Sequence, residues 1–390
     1  MILKYIRIRN FLIHEDTELA LGDVSVLVGA NGTGKSAIID ALFVVGRLAR
    51  GPVERSFDSR GPFAFAARKR HGAPEQQPMA FSLRFANDAF SAEATYEVQL
   101  VLRDERVVVL SESLKSGNTV VYDRDTPQGE TLLSQARRGE AADLGHGQAN
   151  FARQCARALG RILRYRLEPH QMASDASETE AIDTEEGDRP PPPYLGPRGE
   201  NLAGLLYWFD QWERHQMESL TKTLSALIPG FSGIAFSTAV PGRVGWGIEF
   251  SDSRGTVSAG NLSSGTLSIV GLVALVTFRA QTRNPVLICV EEPELGLTPS
   301  NALSMYRELA ELALGDMAQV LISTHSPHIA HCQLMSDDKA VFRLRPQGGI
   351  GAAEPFRASI LEQQGPEGWQ DVGQDGGIGV NAVLRSMEEF

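Results

Sequence analysis

Hydrophobic positions divide this chain into stretches of two different periods. Near the N-terminus Ile2, Tyr5, Ile6 and Ile8 stand among basic residues as a strand, and after a turn Val24-Ser25-Val26-Leu27-Val28 makes an apolar strand that runs directly into a glycine-rich loop. Residues 37–48 then follow a helical pattern. Within 79–122, the stretches 81–85, 96–102 and 107–110 are β-rich and bounded by Asn-Asp, Arg-Asp-Glu and Ser-Gly-Asn turn signals, which predicts an antiparallel meander. Residues 132–167 and 202–227 read as mainly helical, the second ended by Pro229-Gly230. After Phe231, further strand signals lead to a helix over 264–279, a strand over 286–290, a helix over 300–314, a strand over 320–323 and a last helix near His328.

Between the helical stretches, residues 174–193 hold seven acidic residues, one arginine and a four-proline run, a composition that predicts a solvated, disordered loop. That loop carries more than half of the formal net charge of −11, so the remainder is nearly neutral. No global positive field exists for nucleic acid or an anionic membrane, and any such contact must come from a local patch. The 390 residues, 42% apolar and 22% charged, have an ordinary globular composition sufficient for two or three domain-sized units. Cys155, Cys289 and Cys332 form no CxxC pair or even-numbered ladder, so no disulfide framework is indicated and a reducing cytoplasm is the expected location. Residues up to Phe11 lack the layout of a secretory signal, and no run of 18 apolar residues occurs, so neither export nor a membrane span is expected. The segment after Arg345 is rich in Gly and Gln and carries little pattern.

The candidate chemistry begins at Gly29-Ala30-Asn31-Gly32-Thr33-Gly34-Lys35-Ser36, a complete G-x-x-x-x-G-K-[ST] between a predicted strand and helix. Glycines let backbone N–H groups turn toward phosphate oxygens, the helix N-terminus adds partial positive charge, Lys35 reaches the β/γ-phosphates and Ser36 can ligate Mg²⁺. The apolar run ending in Glu291-Glu292 reads as a buried parallel strand delivering two carboxylates, Glu291 for the metal and Glu292 as general base. Thr298 and Pro299 read as N-cap and first residue of the next helix, with Gly315 as its stop. About one βαβ unit beyond Glu292 a second strand ends at His325, so a right-handed crossover brings His325 to the sheet edge of the phosphate loop, within reach of the γ-phosphate or attacking water. A zinc site of His325, His328, His331 and Cys332 is disfavoured by Pro327 and by the strand-end position. Leu262-Ser263-Ser264-Gly265-Thr266 opens an apolar helix whose free N–H groups suit an anion. Since one chain already has its phosphate loop, a second such helix start is best explained if it covers a γ-phosphate bound by another copy.

Together these residues resemble the ABC-type ATPase heads of the SMC, RecF and OLD-like group, and in particular the compact AAA_21-like ATPases of prokaryotic anti-phage systems. The resemblance rests on residues 6–11, the phosphate loop continuing to Asp40-Ala41-Leu42, 262–266, Glu291-Glu292-Pro293-Glu294-Leu295-Gly296-Leu297 and Ser323-Thr324-His325-Ser326-Pro327, and covers roughly 1–125 and 235–345. It implies an α/β P-loop NTPase, a two-lobed ATPase head with an antiparallel β-meander in lobe I and a short helical insertion. Lobe I with Walker A would span 1–125, the insertion 126–234, lobe II with signature, Walker B, D-loop and switch histidine 235–345, and a tail 346–390. It also implies ATP and Mg²⁺ as cofactors and head-to-head homodimers closing on two ATP. Asn10 joins the nucleotide-contacting set, with Gly29, Asn31, Gly32, Thr33, Gly34, Lys35, Ser36, Ser263, Ser264 and Gly265.

Three departures matter. Glu291 stands where Asp is commonest, as in the compact subgroup, and slower turnover follows as an expectation. Thr298 occupies a position where that subgroup often has His, and only Gln99 and Gln76 offer themselves for the Q-loop. Without sustained heptads there are no long arms, and after Leu334 no acidic E…DxD nuclease arrangement is seen. The expected activity is ATP hydrolysis coupled to a separate effector or nucleic acid, in anti-phage defence or DNA repair and maintenance, without nucleic-acid cleavage by this chain. The alternative is a slow or non-hydrolysing ATP-dependent scaffold that holds an effector inactive. A transporter ATPase or a P-loop kinase fits less well, given that Ser263 stands 228 positions after Lys35 and given the signature helix.

For nucleic acid, Arg153, Arg157, Arg161 and Arg164 fall at helical spacings and predict one basic helix face, and Arg68-Lys69-Arg70-His71 makes a second cluster. Solvated faces are the plainer reading of each. Arg50 and Arg55, behind the phosphate-loop helix, resemble the SMC arginine loop.

Overall fold

The computed structural model describes residues 2–57, 66–67, 77–86, 92–177, 195–238, 240, 242–281, 286–314, 318–336, 340–345 and 357–360. The chain makes two compact units, one of 1–163, 285–289 and 319–390 and another of 164–284 and 290–318.

In the first unit β1 (Ile2–Phe11) and β2 (His14–Ala20) form a hairpin, and β3 (Val24–Val28) leaves it for a second sheet. After α1 (Lys35–Leu48), β4 (Met79–Ala86), β5 (Ala94–Arg103), β6 (Arg106–Ser116) and β7 (Thr119–Arg124) form the expected meander. It is part of a six-stranded antiparallel sheet in the order β2-β1-β4-β5-β6-β7. β2 is invisible to a hydropathy reading because its sequence is mostly polar. Only His14, Thr17 and Leu19 of it are buried.

Where one long helical stretch is expected after Thr131, the chain instead makes α2 (Leu132–Arg138), α3 (His146–Leu159) and the strand β8 (Ile162–Tyr165). Gly139 ends α2 in a left-handed conformation, and a turn at Gly160-Arg161 ends α3. The start of α2 is fixed by a buried carboxylate. Glu112 of β6 accepts the hydroxyls of Tyr96 at 3.1 Å and Tyr122 at 2.9 Å, Arg124 at 3.0 Å, and the backbone N–H groups of Leu132 at 2.6 Å and Leu133 at 3.3 Å.

The second sheet of this unit carries the phosphate loop. Later in the chain come β13 (Val286–Glu291), which passes into the second unit at Val290, then β14 (Ala318–Thr324), β15 (Ala340–Arg345) and β16 (Arg357–Ile360). The sheet order is β16-β15-β3-β14-β13-β8. All five residues of β3 are buried, and it pairs in parallel with β14 on one side and β15 on the other. Such burial on both faces is what its continuous apolar sequence requires. The expected featureless tail thus contributes β16, antiparallel to β15, while 346–356 and 361–390 lie outside the described residues. Between β14 and β15, α9 (Pro327–Leu334) starts on Ser326, whose hydroxyl accepts the N–H of Ile329.

The second unit contains α4 (Pro169–Met172), β9 (Ala176–Ser177), α5 (Leu202–Trp212), α6 (Arg214–Leu227), β10 (Phe231–Ser237), β11 (Arg243–Phe250), β12 (Thr256–Ser258), α7 (Ser264–Gln281) and α8 (Pro299–Leu314). The expected helix over 202–227 is broken at Glu213. Of the predicted acidic loop, Ala176–Ser177 is a strand paired with β11, and 178–193 lies outside the described residues.

Burial, and next the Glu112 charge, hold the phenols of Tyr96 and Tyr122 well above the ordinary tyrosine range. The unfolded chain releases these protons near pH 10, so the stability these two phenols contribute is fully present below about pH 10 and is lost as pH rises further. Alkaline titration of the native protein should therefore show tyrosinate absorbance from these residues appearing together with loss of circular dichroism. Tyr96→Phe should flatten the alkaline loss while lowering stability near neutral pH by about 1 kcal/mol, the worth of one hydrogen bond.

Candidate nucleotide site

The phosphate loop joins the carboxyl end of β3 to α1. Unlike α2, capped by the Thr131 hydroxyl, and α9, capped by Ser326, α1 begins with no side-chain cap and no acidic residue in its first turn. Its leading N–H groups are those an anion satisfies. Lys35 is buried, and its Nζ donates to the carbonyl oxygens of Gly29 at 2.6 Å and Ala30 at 2.9 Å. The ammonium is thus held inside the ring of the loop. Thr33 is buried with Oγ1 donating to the Ala30 carbonyl at 2.9 Å, Ser36 is half-buried, and Asn31 and Gly32 are exposed at the tip. An uncapped helix start with a lysine at its mouth fits a triphosphate.

A residue not singled out in the sequence supports this loop from below. His14 is fully buried, with Nδ1 2.9 Å from Thr17 Oγ1 and Nε2 3.1 Å from the Gly34 carbonyl oxygen. A ring protonated on Nε2, donating to Gly34 and accepting from Thr17, satisfies both contacts. Gly34 has φ 99°, and a Cβ there would lie 2.7 Å from His14 Nε2 and 2.6 Å from Ile13 Cδ1, so only glycine fits. The signal was present as His14-x-x-Thr17, two buried polar residues on one strand.

His325 follows β14 directly. In the parallel register Thr324 stands opposite Val28, so His325 comes level with Gly29 at the same sheet edge. Thr324 Oγ1 accepts the N–H of Ser326 at 2.9 Å, fixing the turn in which His325 sits. Asn10, at φ 53°, donates its side-chain amide to the Pro78 carbonyl at 2.9 Å.

The carboxylates and the signature helix belong to the second unit. Glu291 ends β13 and is buried, while Glu292 is half-buried with φ 48°, a left-handed conformation costly for such a residue, of order 1 kcal/mol or more. Nε and Nη2 of Arg164 both lie 2.5 Å from Glu291 Oε1, and Arg166 Nη2 lies 3.9 Å from Glu292 Oε2. Arg164 therefore does not share a helix face with Arg153, Arg157 and Arg161. It stands on β8, Arg161 is in the turn before it, and Arg153 Nε donates to the Ala136 carbonyl, so the expected four-arginine stripe is absent. Arg50 is exposed and donates to the Gly160 carbonyl. Arg68, Lys69, Arg70, His71 and Gln76 lie outside the described residues, and Gln99 is on β5.

Ser263 is the N-cap of α7, its Oγ accepting the Thr266 N–H at 3.1 Å, and Ser263 and Ser264 are exposed. Gly265 packs on the turn after the carboxylates, where a Cβ would come within 2.4 Å of the Gly296 carbonyl oxygen. Ser268 Oγ reaches the Leu295 carbonyl at 3.4 Å. Thr298 caps α8 as expected, accepting the Asn301 N–H at 3.3 Å, with Pro299 first in the helix. Gly315 lies outside the described residues.

A phosphate loop on a central parallel strand, an added antiparallel sheet, and a Leu-Ser-Ser-Gly-Thr helix in the same chain define the ABC-type class of P-loop ATPase heads. The profile of the AAA_21 family, described as "AAA domain, putative AbiEii toxin, Type IV TA system", matches residues 24–330, and the chain belongs to that family. The OLD nuclease of Thermus scotoductus is 25% identical over 354 residues, which are 84% of this chain and 60% of that protein. The DNA double-strand break repair Rad50 ATPase of Sulfolobus acidocaldarius is 51% identical over 43 residues, 11% of this chain and 5% of its own length. The chain therefore spans less than two thirds of these curated relatives. Among solved structures, an SMC head bound to the C-winged helix domain of ScpA aligns with TM-score 0.56 at 13% identity, covering 93% of this chain and 98% of that one, a likeness of fold. Among the described residues no helix is long and apolar enough to cross a membrane.

The tight seat of Gly265 yields a stability test. Gly265→Ala should lower the urea unfolding free energy by about 1–3 kcal/mol through overpacking. Gly260→Ala, where a Cβ meets nothing within 4 Å, should change it by less than about 0.5 kcal/mol.

Proposed function

We propose that this domain binds ATP with Mg²⁺ and hydrolyses it at a seam between two copies, each lending its phosphate loop to one nucleotide and its signature helix to the other. The observation that carries the reading is the uncapped start of α1 behind the loop, with His325 level with Gly29 in the strand register. Lys35 and the loop N–H groups hold the phosphates, with Gly29, Asn31, Gly32, Thr33 and Gly34 shaping the cradle. Ser36 and Glu291 hold Mg²⁺, whose chemistry is to neutralise charge on the β- and γ-phosphate oxygens. Glu292 orients and deprotonates the attacking water, and His325 hydrogen-bonds the γ-phosphate or that water. The exposed Ser263 and Ser264, with Gly265, at the head of α7 face the γ-phosphate of the second copy's nucleotide. Asn10 is assigned to the same nucleotide-contacting set.

Hydrolysis in this reading drives a separate effector or nucleic acid, in defence against phage or in DNA maintenance, inside the cytoplasm. The nuclease and double-strand break repair named for the relatives support that direction. No nucleic-acid cleavage is assigned to this chain. A second reading, a scaffold that binds ATP and turns it over slowly, is favoured by one observation: the metal-side carboxylate is a glutamate already paired with Arg164.

Steady-state phosphate release separates the two. For an ATPase, Glu292→Gln should lower turnover by about 10²-fold or more while retaining labelled ATP, and Lys35→Ala should lose ATP uptake. Wild type and Glu292→Gln turning over at the same near-zero rate would establish the scaffold. ATP should shift wild type toward dimer in sedimentation, and Ser264→Arg should prevent that shift.

A further inference from the structure

Resting on the reading of Glu291 as the metal-side carboxylate, we propose that Arg164 is its resident counter-cation, a positioning residue that Mg²⁺ must displace and that thereby sets the metal requirement of the site. The side chain of Glu291 is 2% exposed and that of Arg164 14%, so the pair is desolvated and its charges act on each other strongly. Among the described residues Arg164 is the carboxylate's hydrogen-bond partner, and its Nε and Nη2 converge on Oε1. Oε2 is thus left for another ligand, but a cation approaching it meets the guanidinium charge on the same carboxylate.

The arginine is held in this pose. Tyr165, the next residue, is fully buried, and its hydroxyl accepts a hydrogen bond from Arg279 of α7 at 2.7 Å. Arg166 extends the same arrangement to Glu292 more loosely, at 3.9 Å and with half its side chain exposed. Three consecutive residues at the end of β8 therefore address the two carboxylates and the signature helix. Metal binding at Glu291 and the ion pair to Arg164 are linked equilibria, and whatever weakens one strengthens the other.

The test uses the full chain and Mn²⁺ as probe, titrated by electron paramagnetic resonance with and without a slowly hydrolysed ATP analogue. Arg164→Gln should tighten Mn²⁺ binding by about fivefold or more, the usual scale of a coupled pair. Its melting temperature in EDTA should fall and recover on adding metal. Arg164→Lys, which keeps the charge, should bind Mn²⁺ close to wild type, and in a Glu291→Gln background Arg164→Gln should leave Mn²⁺ affinity unchanged. Unchanged or weaker Mn²⁺ binding in Arg164→Gln would overturn the proposal and leave a purely structural ion pair. The ATP reading is judged separately by labelled nucleotide uptake and its loss in Lys35→Ala: nucleotide bound without the Mn²⁺ effect sinks only the role of Arg164. The Mn²⁺ effect without nucleotide uptake sinks only the ATP reading.

Discussion

The first unit hangs on one strand. β3 is buried on both faces, so its N–H and C=O groups can be satisfied only by neighbours on both sides, and it finds them in β14 and β15. Parallel pairing fixes which residues share an edge: Val28, Thr324 and Arg343 stand in one row, and β3 and β14 each end there and pass into a turn or loop at that edge. The phosphate loop and His325 are neighbours for this reason, although almost three hundred residues separate them in sequence. Any slip in the register would move them apart together.

Buried polar side chains hold that strand in place. Gln319 at the start of β14 donates to the carbonyls of Leu3 and Gly22 and accepts the N–H of Leu3, which ties the antiparallel sheet to the entrance of β3. Gln333 of α9 donates to the Val24 carbonyl. Glu112 does the same for α2, collecting donors from two strands and a helix start. Burial raises its carboxyl pKa, while the donors around it pull the other way. Such groups cost free energy unless every partner is present, so they specify one arrangement rather than adding much net stability.

This division explains what was readable in the sequence. The apolar runs around Val26 and Ile288, the phosphate loop, and the Thr298-Pro299 and Ser326-Pro327 helix starts are local signals, and the observed elements lie where those signals are. The fold class, the meander and the family were legible from them. Features that depend on tertiary partners were not. β2 is polar because only three of its residues meet the core, and β16 is a strand only through its pairing with β15. The arginine stripe failed for a physical reason: spacings of three and four signify one face only while the helix continues, and Gly160 was the stop that cut it. Arg164 looked like a surface charge because sequence spacing carries no information about the carboxylate that a different segment brings to it.

A paired, nearly inaccessible carboxylate at the end of a strand is a poor stability device, since removing two charges from water usually costs about as much as their attraction returns. Its value lies in what happens when the partner changes. An unpaired buried carboxylate would be penalised by several kcal/mol, so under the proposed metal role of Glu291 the exchange of one cation for another is favoured over the arginine simply leaving. Glu292, held at φ 48° immediately beyond, stores backbone strain next to this exchange. A change of cation at Glu291 would be felt first by the residue proposed to activate water. That coupling can arise within two adjacent residues, without a long-range rearrangement of the fold.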